Sequence, residues 1–102
     1  MTNPLLKGLR PVHPGEMLRE DILPAVGRPK TEIARLLGIS RQTLYDILGE
    51  KQPVTPTMAL RLARMFGGSA ESWVNMQRNY DLKIAERELA EELDKIPHLE
   101  AA

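Results

Sequence analysis

Residues 30–48 read KTEIARLLGISRQTLYDIL, and they constrain the chain more than any other stretch. Ile33, Leu36 and Leu37 line one face of a helix that starts near Lys30 and stops at Gly38. Ser40 is placed to cap a second helix, Arg41–Leu48, which Gly49 ends. Three residues therefore join two short helices. Such helices cross closely, so the first needs a small residue at the crossing, and Ala34 supplies it. The turn needs a residue that tolerates a positive φ, and Gly38 supplies that. Ile33, Leu37, Ile39, Leu44 and Ile47 fall where apolar side chains must fill the angle between the helices. The pattern is that of a helix-turn-helix.

The second helix keeps a set of residues for another purpose. Ser40, Arg41, Gln42, Tyr45 and Asp46 lie outside the apolar face, with Thr43 at its margin. A solvated helix face usually carries Glu and Lys, whereas each of these side chains suits the major groove of DNA. Arg pairs bidentately with guanine and Gln with adenine. Ser and Thr reach a base or a phosphate, and a Tyr ring packs on a thymine methyl or sends its hydroxyl to a phosphate. Asp46 has two readings: it accepts from a cytosine amine, or it orients Arg41 or Gln42. Arg41 and Gln42 are expected to carry base specificity, and Lys30 and Lys51 mainly phosphate affinity. Many helix-glycine-helix pairs are purely structural. Here the small residue, the glycine, the apolar positions and the exposed chemistry agree, which ranks DNA binding first.

The remainder reads as helix, since no stretch alternates with period two over a strand's length. Residues 1–13 are expected to be irregular, with Pro4, Gly8 and Pro11. A first helix is expected from Pro14 to about Leu23, with Met17, Leu18 and Ile22 inward and Pro24 as its end. After a loop at 50–54, Thr55 caps a helix with Pro56 at its first position, which Gly67 and Gly68 terminate. Ser69 caps the last helix, with Glu71 in its first turn. The inner face of that helix drifts from Trp73, Met76 and Tyr80 to Leu82, Ala85, Leu89, Leu93 and Ile96. The jump at residues 79–81 marks a place for a bend or break, and the tail after Pro97 is expected to fray. The expected division is an irregular segment 1–13, a helix-turn-helix domain 14–68 and a C-terminal helix with tail, 69–102.

Charge separates along the chain although Lys+Arg and Asp+Glu are equal at 14 each. Residues 28–64 hold seven basic side chains against three acidic ones, a net +4; residues 65–102 hold four against eight, a net −4. A basic middle suits phosphates and an acidic end repels them; ordinary surface variation is the plainer explanation. The chain has no Cys, which excludes disulfides and Cys-ligated metals. His13 and Glu16 stand three apart, but metal ligands at that spacing need companions and His98 is remote, so a role at the helix start is preferred and no metal or other cofactor is expected. No Ser-His-Asp set, Cys nucleophile or Gly-rich phosphate loop can be assembled, so no enzyme is expected. The N-terminus has no apolar run fit for a signal peptide or membrane span, and a soluble cytoplasmic protein is expected.

One recognition helix covers too few base pairs to find one genomic site. A two-fold dimer doubles the contact and requires a palindromic operator, with half-sites about 10 base pairs apart or a multiple of that. Trp73, Met76 and Tyr80, together with Gln77, are the expected dimer surface; plain core is an equal reading of the aromatic stripe.

HPGEMLREDILP at 13–24, EIARLLGISRQTLYDILGEKQPVTPTMALRLARMFGGS at 32–69 and ESWVNMQRNYDL at 71–82 together resemble the HigA family of antitoxins, within the lambda-repressor-like (XRE-type) helix-turn-helix group. The resemblance spans roughly Val12 to Leu82. It implies an all-α, five-helix domain that binds double-stranded operator DNA as a homodimer, represses its own operon and neutralises a toxin encoded beside it. Such toxins resemble RelE-type ribonucleases that cut messenger RNA. Many repressors of the wider group start the second helix with a phosphate-clamping Gln. Here Arg28-Pro29-Lys30-Thr31 stands there, so Lys30 and Thr31 do that work or it goes undone. The alternatives are a solitary XRE-type regulator without a toxin and, behind it, a protein-binding adaptor. The acidic stretch after Lys83 lies outside the resemblance. It reads as a solvated helix face with Arg87–Glu91 and Glu91–Lys95 pairs, or as an acidic arm that meets a basic toxin.

Overall fold

The computed structural model describes residues 10–101; the first nine residues of the expected irregular segment lie outside this range. The chain is all-α with a lambda-repressor-like fold. Helix α1 has three sections, α-helical Pro14–Met17, a π turn Leu18–Ile22 and α-helical Leu23–Val26. Then follow α2 Lys30–Leu37, α3 Arg41–Leu48, α4 Pro56–Phe66, α5 Ala70–Glu88 and a short α6 Ala90–Asp94.

The expected end of α1 at Pro24 is wrong. Proline lacks an N–H and its ring collides with the carbonyl four residues back, so it normally halts a helix. Here the π turn precedes it. The Leu23 N–H reaches the Leu18 carbonyl, five residues back, and the widened turn lets the helix pass Pro24 and continue to Val26.

The start of α1 explains the His-Pro-Gly-Glu sequence. His13 Nδ1 accepts the Gly15 N–H at 2.9 Å and caps the helix. Pro14 sits at the first helical position, where a missing N–H costs nothing. A Cβ on Gly15 would stand 1.9 Å from the Ile47 carbonyl oxygen, so only glycine lets α1 lie this close to the end of α3. Glu16 pairs with Arg10. Both side chains of the imagined metal pair thus have protein partners.

The core gathers Leu18 and Leu23 from α1, Ile33, Ala34 and Leu37 from α2, Leu44, Ile47 and Leu48 from α3, Val54, then Met58, Ala59 and Leu62 from α4 and Trp73 from α5. The helix-turn-helix residues sit as the spacing predicts: Gly38 has φ 75° and Ala34 is buried at the crossing. Thr55 and Ser69 cap α4 and α5 through their hydroxyls.

The last helix departs from expectation in two ways. It runs unbroken through residues 79–81 and gives way only at Leu89. No bend is needed, because the shift of stripe marks the point where the helix leaves the domain. Its second stripe does not face inward, since Leu82, Leu89, Leu93 and Ile96 are all exposed. Among the described residues neither Arg87–Glu91 nor Glu91–Lys95 forms an ion pair. The break at Leu89 falls within the first of these spans.

Candidate nucleic-acid interface

Helix α3 is held at both ends. At its start Ser40 Oγ accepts the Thr43 N–H at 3.0 Å and donates to Thr43 Oγ1 at 2.8 Å. The preceding turn is closed by the Ile39 N–H on the Ala34 carbonyl at 3.0 Å and by Arg61 Nη1 on the Leu37 carbonyl at 2.7 Å. At its end Arg19 Nη1 donates to the Leu48 carbonyl at 2.5 Å and lies 3.4 Å from Glu50 Oε2. Glu50 takes a left-handed φ of 60°, rare for a residue with a side chain. The loop beyond is pinned from α5, where buried Gln77 accepts the Val54 N–H through Oε1 at 2.8 Å. Such fixing keeps the outer face of α3 in one geometry.

The free side of this helix carries the expected side chains. Arg41, Gln42 and Tyr45 are exposed, and among the described residues Arg41 has no hydrogen bond or ion pair. Gln42 Nε2 donates to Asp46 Oδ1 at 2.8 Å. This contact fits the reading in which Asp46 orients Gln42. The bond leaves the Gln42 carbonyl and its second amide hydrogen for other partners, the donor–acceptor pair that adenine requires. Ser40 and Thr43 spend part of their capacity on the cap.

Lys30 and Thr31 are exposed in the first turn of α2, whose cap residue Pro29 offers no side-chain acceptor. Their amides have no intrahelical partner, and a phosphate suits such a helix end. Lys51 is exposed in the turn after α3. Not every cation of the basic middle is available: Arg28 pairs with Glu32 at 2.6 Å and Arg61 closes the turn after α2.

The four residues expected at a dimer surface are divided by the fold. Trp73 is buried in the core and Gln77 holds Val54. Met76 and Tyr80 remain half-buried, and the Tyr80 ring meets His13 edge-on with centroids 4.9 Å apart. Sequence reasoning missed Gly15, Arg19 and Glu50, which position α3. No periodic signal marks them, because each acts through a contact with a distant segment.

Residues 18–73 match the family described as helix-turn-helix. Antitoxin HigA-1 of Vibrio cholerae is 33% identical over 73 residues, 72% of this chain and 69% of that protein. The chain belongs to the HigA family of helix-turn-helix antitoxins. The family fits the clamped helix with its polar outer face. Virulence-associated protein I of Dichelobacter nodosus is 46% identical over 77 residues, covering 76% of this chain and 71% of that protein. The solved structure of the antitoxin GraA aligns with a TM-score of 0.84 and 38% identity, over 90% of this chain and all of that one. A Pseudomonas aeruginosa antitoxin HigA, solved with the higBA promoter, aligns with a TM-score of 0.82 and 35% identity, over 87% of this chain and 97% of that one. The family is one of DNA-binding regulators, and the protein is a DNA-binding regulator of antitoxin type. Among the described residues no helix is long and apolar enough to cross a membrane.

Proposed function

We propose that the protein binds a palindromic operator as a homodimer, represses its own operon and neutralises an mRNA-cutting toxin of RelE type encoded beside it. The observation that carries the DNA half is the exposed Arg41–Gln42–Tyr45 face on a helix clamped at both ends. Arg41 and Gln42 read bases, with Ser40, Thr43 and Tyr45 beside them, while Lys30, Thr31 and Lys51 hold phosphates. The known structure of a relative with promoter DNA supports this reading. In the dimer, the half-buried Met76 and Tyr80 meet the partner, while Trp73 and Gln77 support them from below. The toxin half rests on the family and on the separation of an acidic C-terminal stretch from the basic helix-turn-helix.

Binding to the protein's own promoter fragment, measured at several salt concentrations, tests the first half. Arg41→Ala should cost roughly 1–3 kcal/mol and relax base choice locally, while Lys30→Ala should weaken all sequences alike and lower the salt slope. Unchanged affinity and selectivity in Arg41→Ala would overturn the recognition-helix assignment. Co-purification with the adjacent gene's product tests the second half; if nothing is captured, the protein is a solitary regulator.

A further inference from the structure

His13 is only 2% exposed, and α1, the loop after α3 and helix α5 all meet at it. Its Nδ1 accepts the Gly15 N–H at 2.9 Å, and its ring meets that of Tyr80 edge-on. The ring also lines a cleft of about 200 Å³ with Glu50, Lys51, Gln77, Tyr80 and Asp81. Charged groups surround it: Arg19 from α1, Glu50 and Lys51 from the loop, and Asp81 from α5. Glu16, in the first turn of α1, is taken up by Arg10. Glu50 lies 3.4 Å from Arg19, and Asp81 accepts Gln77 Nε2 at 3.0 Å. Among the described residues His13 itself forms no ion pair.

This geometry accepts only a neutral ring with a bare Nδ1. Both nitrogens of an imidazolium are donors, so a proton on Nδ1 would face the Gly15 N–H, donor against donor. Burial adds to the preference and holds the His13 pKa below the usual 6.5. The cap in turn sets how α1 lies on α3. Gly15 is packed so closely on Ile47 that a Cβ there would stand 1.9 Å from its carbonyl oxygen. One turn on, Arg19 holds the Leu48 carbonyl and reaches toward Glu50. An imidazolium would be drawn to Glu50 and compete with Arg19 for it. The end of α3 would be disturbed twice, through the first turn of α1 and through Glu50. We propose that this cleft is a proton-sensitive joint, in which protonation of His13 loosens α1 from the end of α3 and weakens operator binding. This rests on the operator reading above. Coupling of this kind is reciprocal, so bound operator holds His13 neutral.

The test titrates both imidazoles by NMR in the full chain, free and bound to the protein's own promoter fragment. His98, exposed in the tail, is the internal reference. The His13 pKa should fall by about one unit on binding, while that of His98 should not fall. Phosphates alone would raise both values, so the direction separates the joint from plain charge attraction. The sign for affinity follows: it is complete above the free His13 pKa and is lost as pH drops through that value toward the bound one. One pH unit below the free value, operator affinity should be about fivefold weaker than near pH 7.5, with helicity unchanged. His13→Asn keeps a capping acceptor and should lose this part of the pH dependence; the wild-type titration decides even where the variant folds poorly. A His13 pKa that is unchanged or raised in the complex overturns the joint and leaves the operator reading standing. So does the same pH dependence in His13→Asn, or affinity that falls only in step with helicity. Wild-type protein that does not bind the promoter near pH 7.5 overturns the operator reading and the joint with it.

Discussion

The domain around α3 and the arm beyond Leu82 are both helical, and both carry leucines at helical spacing, but they answer to different surroundings. Around α3 each apolar residue has a neighbour from another element, and the helix ends are tied by Ser40, Arg19 and Gln77. In the arm the leucines face solvent. The same periodicity therefore marks core in one place and unspent surface in the other. Amphipathicity shows that a helix has something to bury; it does not show whether its own chain provides the cover. Substitutions should separate the regions sharply, since domain contacts govern stability and arm contacts should not.

The largest effect is expected at Gly15. A Cβ there meets a backbone carbonyl at 1.9 Å, which a side-chain shift cannot relieve, so α1 or α3 must move. Gly15→Ala should lose about 3 kcal/mol in urea denaturation, the upper part of the usual overpacking range, and should weaken operator binding as well. A near-neutral result would mean that the two helices do not touch as described.

Gln77→Ala comes next. It removes the partner of the buried Val54 N–H and should cost roughly 1–3 kcal/mol. Hydrogen exchange should show the Val54 amide losing protection before the α3 amides do. If stability is unchanged while dimer content falls, Gln77 belongs to the subunit interface and not to the loop anchor.

A smaller, pH-dependent effect is expected at His13. Its pKa is lowered from the usual 6.5, chiefly by burial; Glu50 and Asp81 oppose the shift and Arg19 adds to it. The cap also needs an unprotonated Nδ1 to accept the Gly15 N–H. The unfolded chain thus binds the proton more readily than the folded one. Stability is complete above the ordinary value and falls as pH drops through 6.5 toward the lowered one. His13→Asn keeps a capping acceptor without a titrating ring, so its denaturation midpoint should vary less than that of wild type between about pH 5 and 8. Parallel pH profiles would remove His13 from the account.

The smallest effect is expected in the arm. Leu93→Ala in the free protein should change stability by less than about 0.5 kcal/mol, as exposed positions do. A larger loss would show that the stripe is already covered in solution.

The helix-turn-helix was legible because its determinants are local. Ser40, Thr55 and Ser69 cap the helices they precede, Gly38 takes the positive φ that its turn demands, and Ile33, Leu37, Leu44 and Ile47 repeat at helical spacing. The exposed Arg, Gln and Tyr of α3 were visible for the same reason: residues three and four apart share a side of any helix. The passage of α1 beyond Pro24 was not legible, since the π turn Leu18–Ile22 just before it removes the clash that proline normally causes. Nor was the left-handed Glu50, which Arg19 accompanies from another helix.

Sequence by itself thus determined the helices, their caps and the chemistry of the outer face of α3, because each follows from residues within a turn or two of one another. Tertiary structure alone decided that Trp73 and Gln77 serve the interior, that Gly15 must be bare and that the leucines of the arm stay in solvent. Those outcomes depend on which distant segment arrives opposite each side chain. Spacing along one helix contains no information about its neighbours.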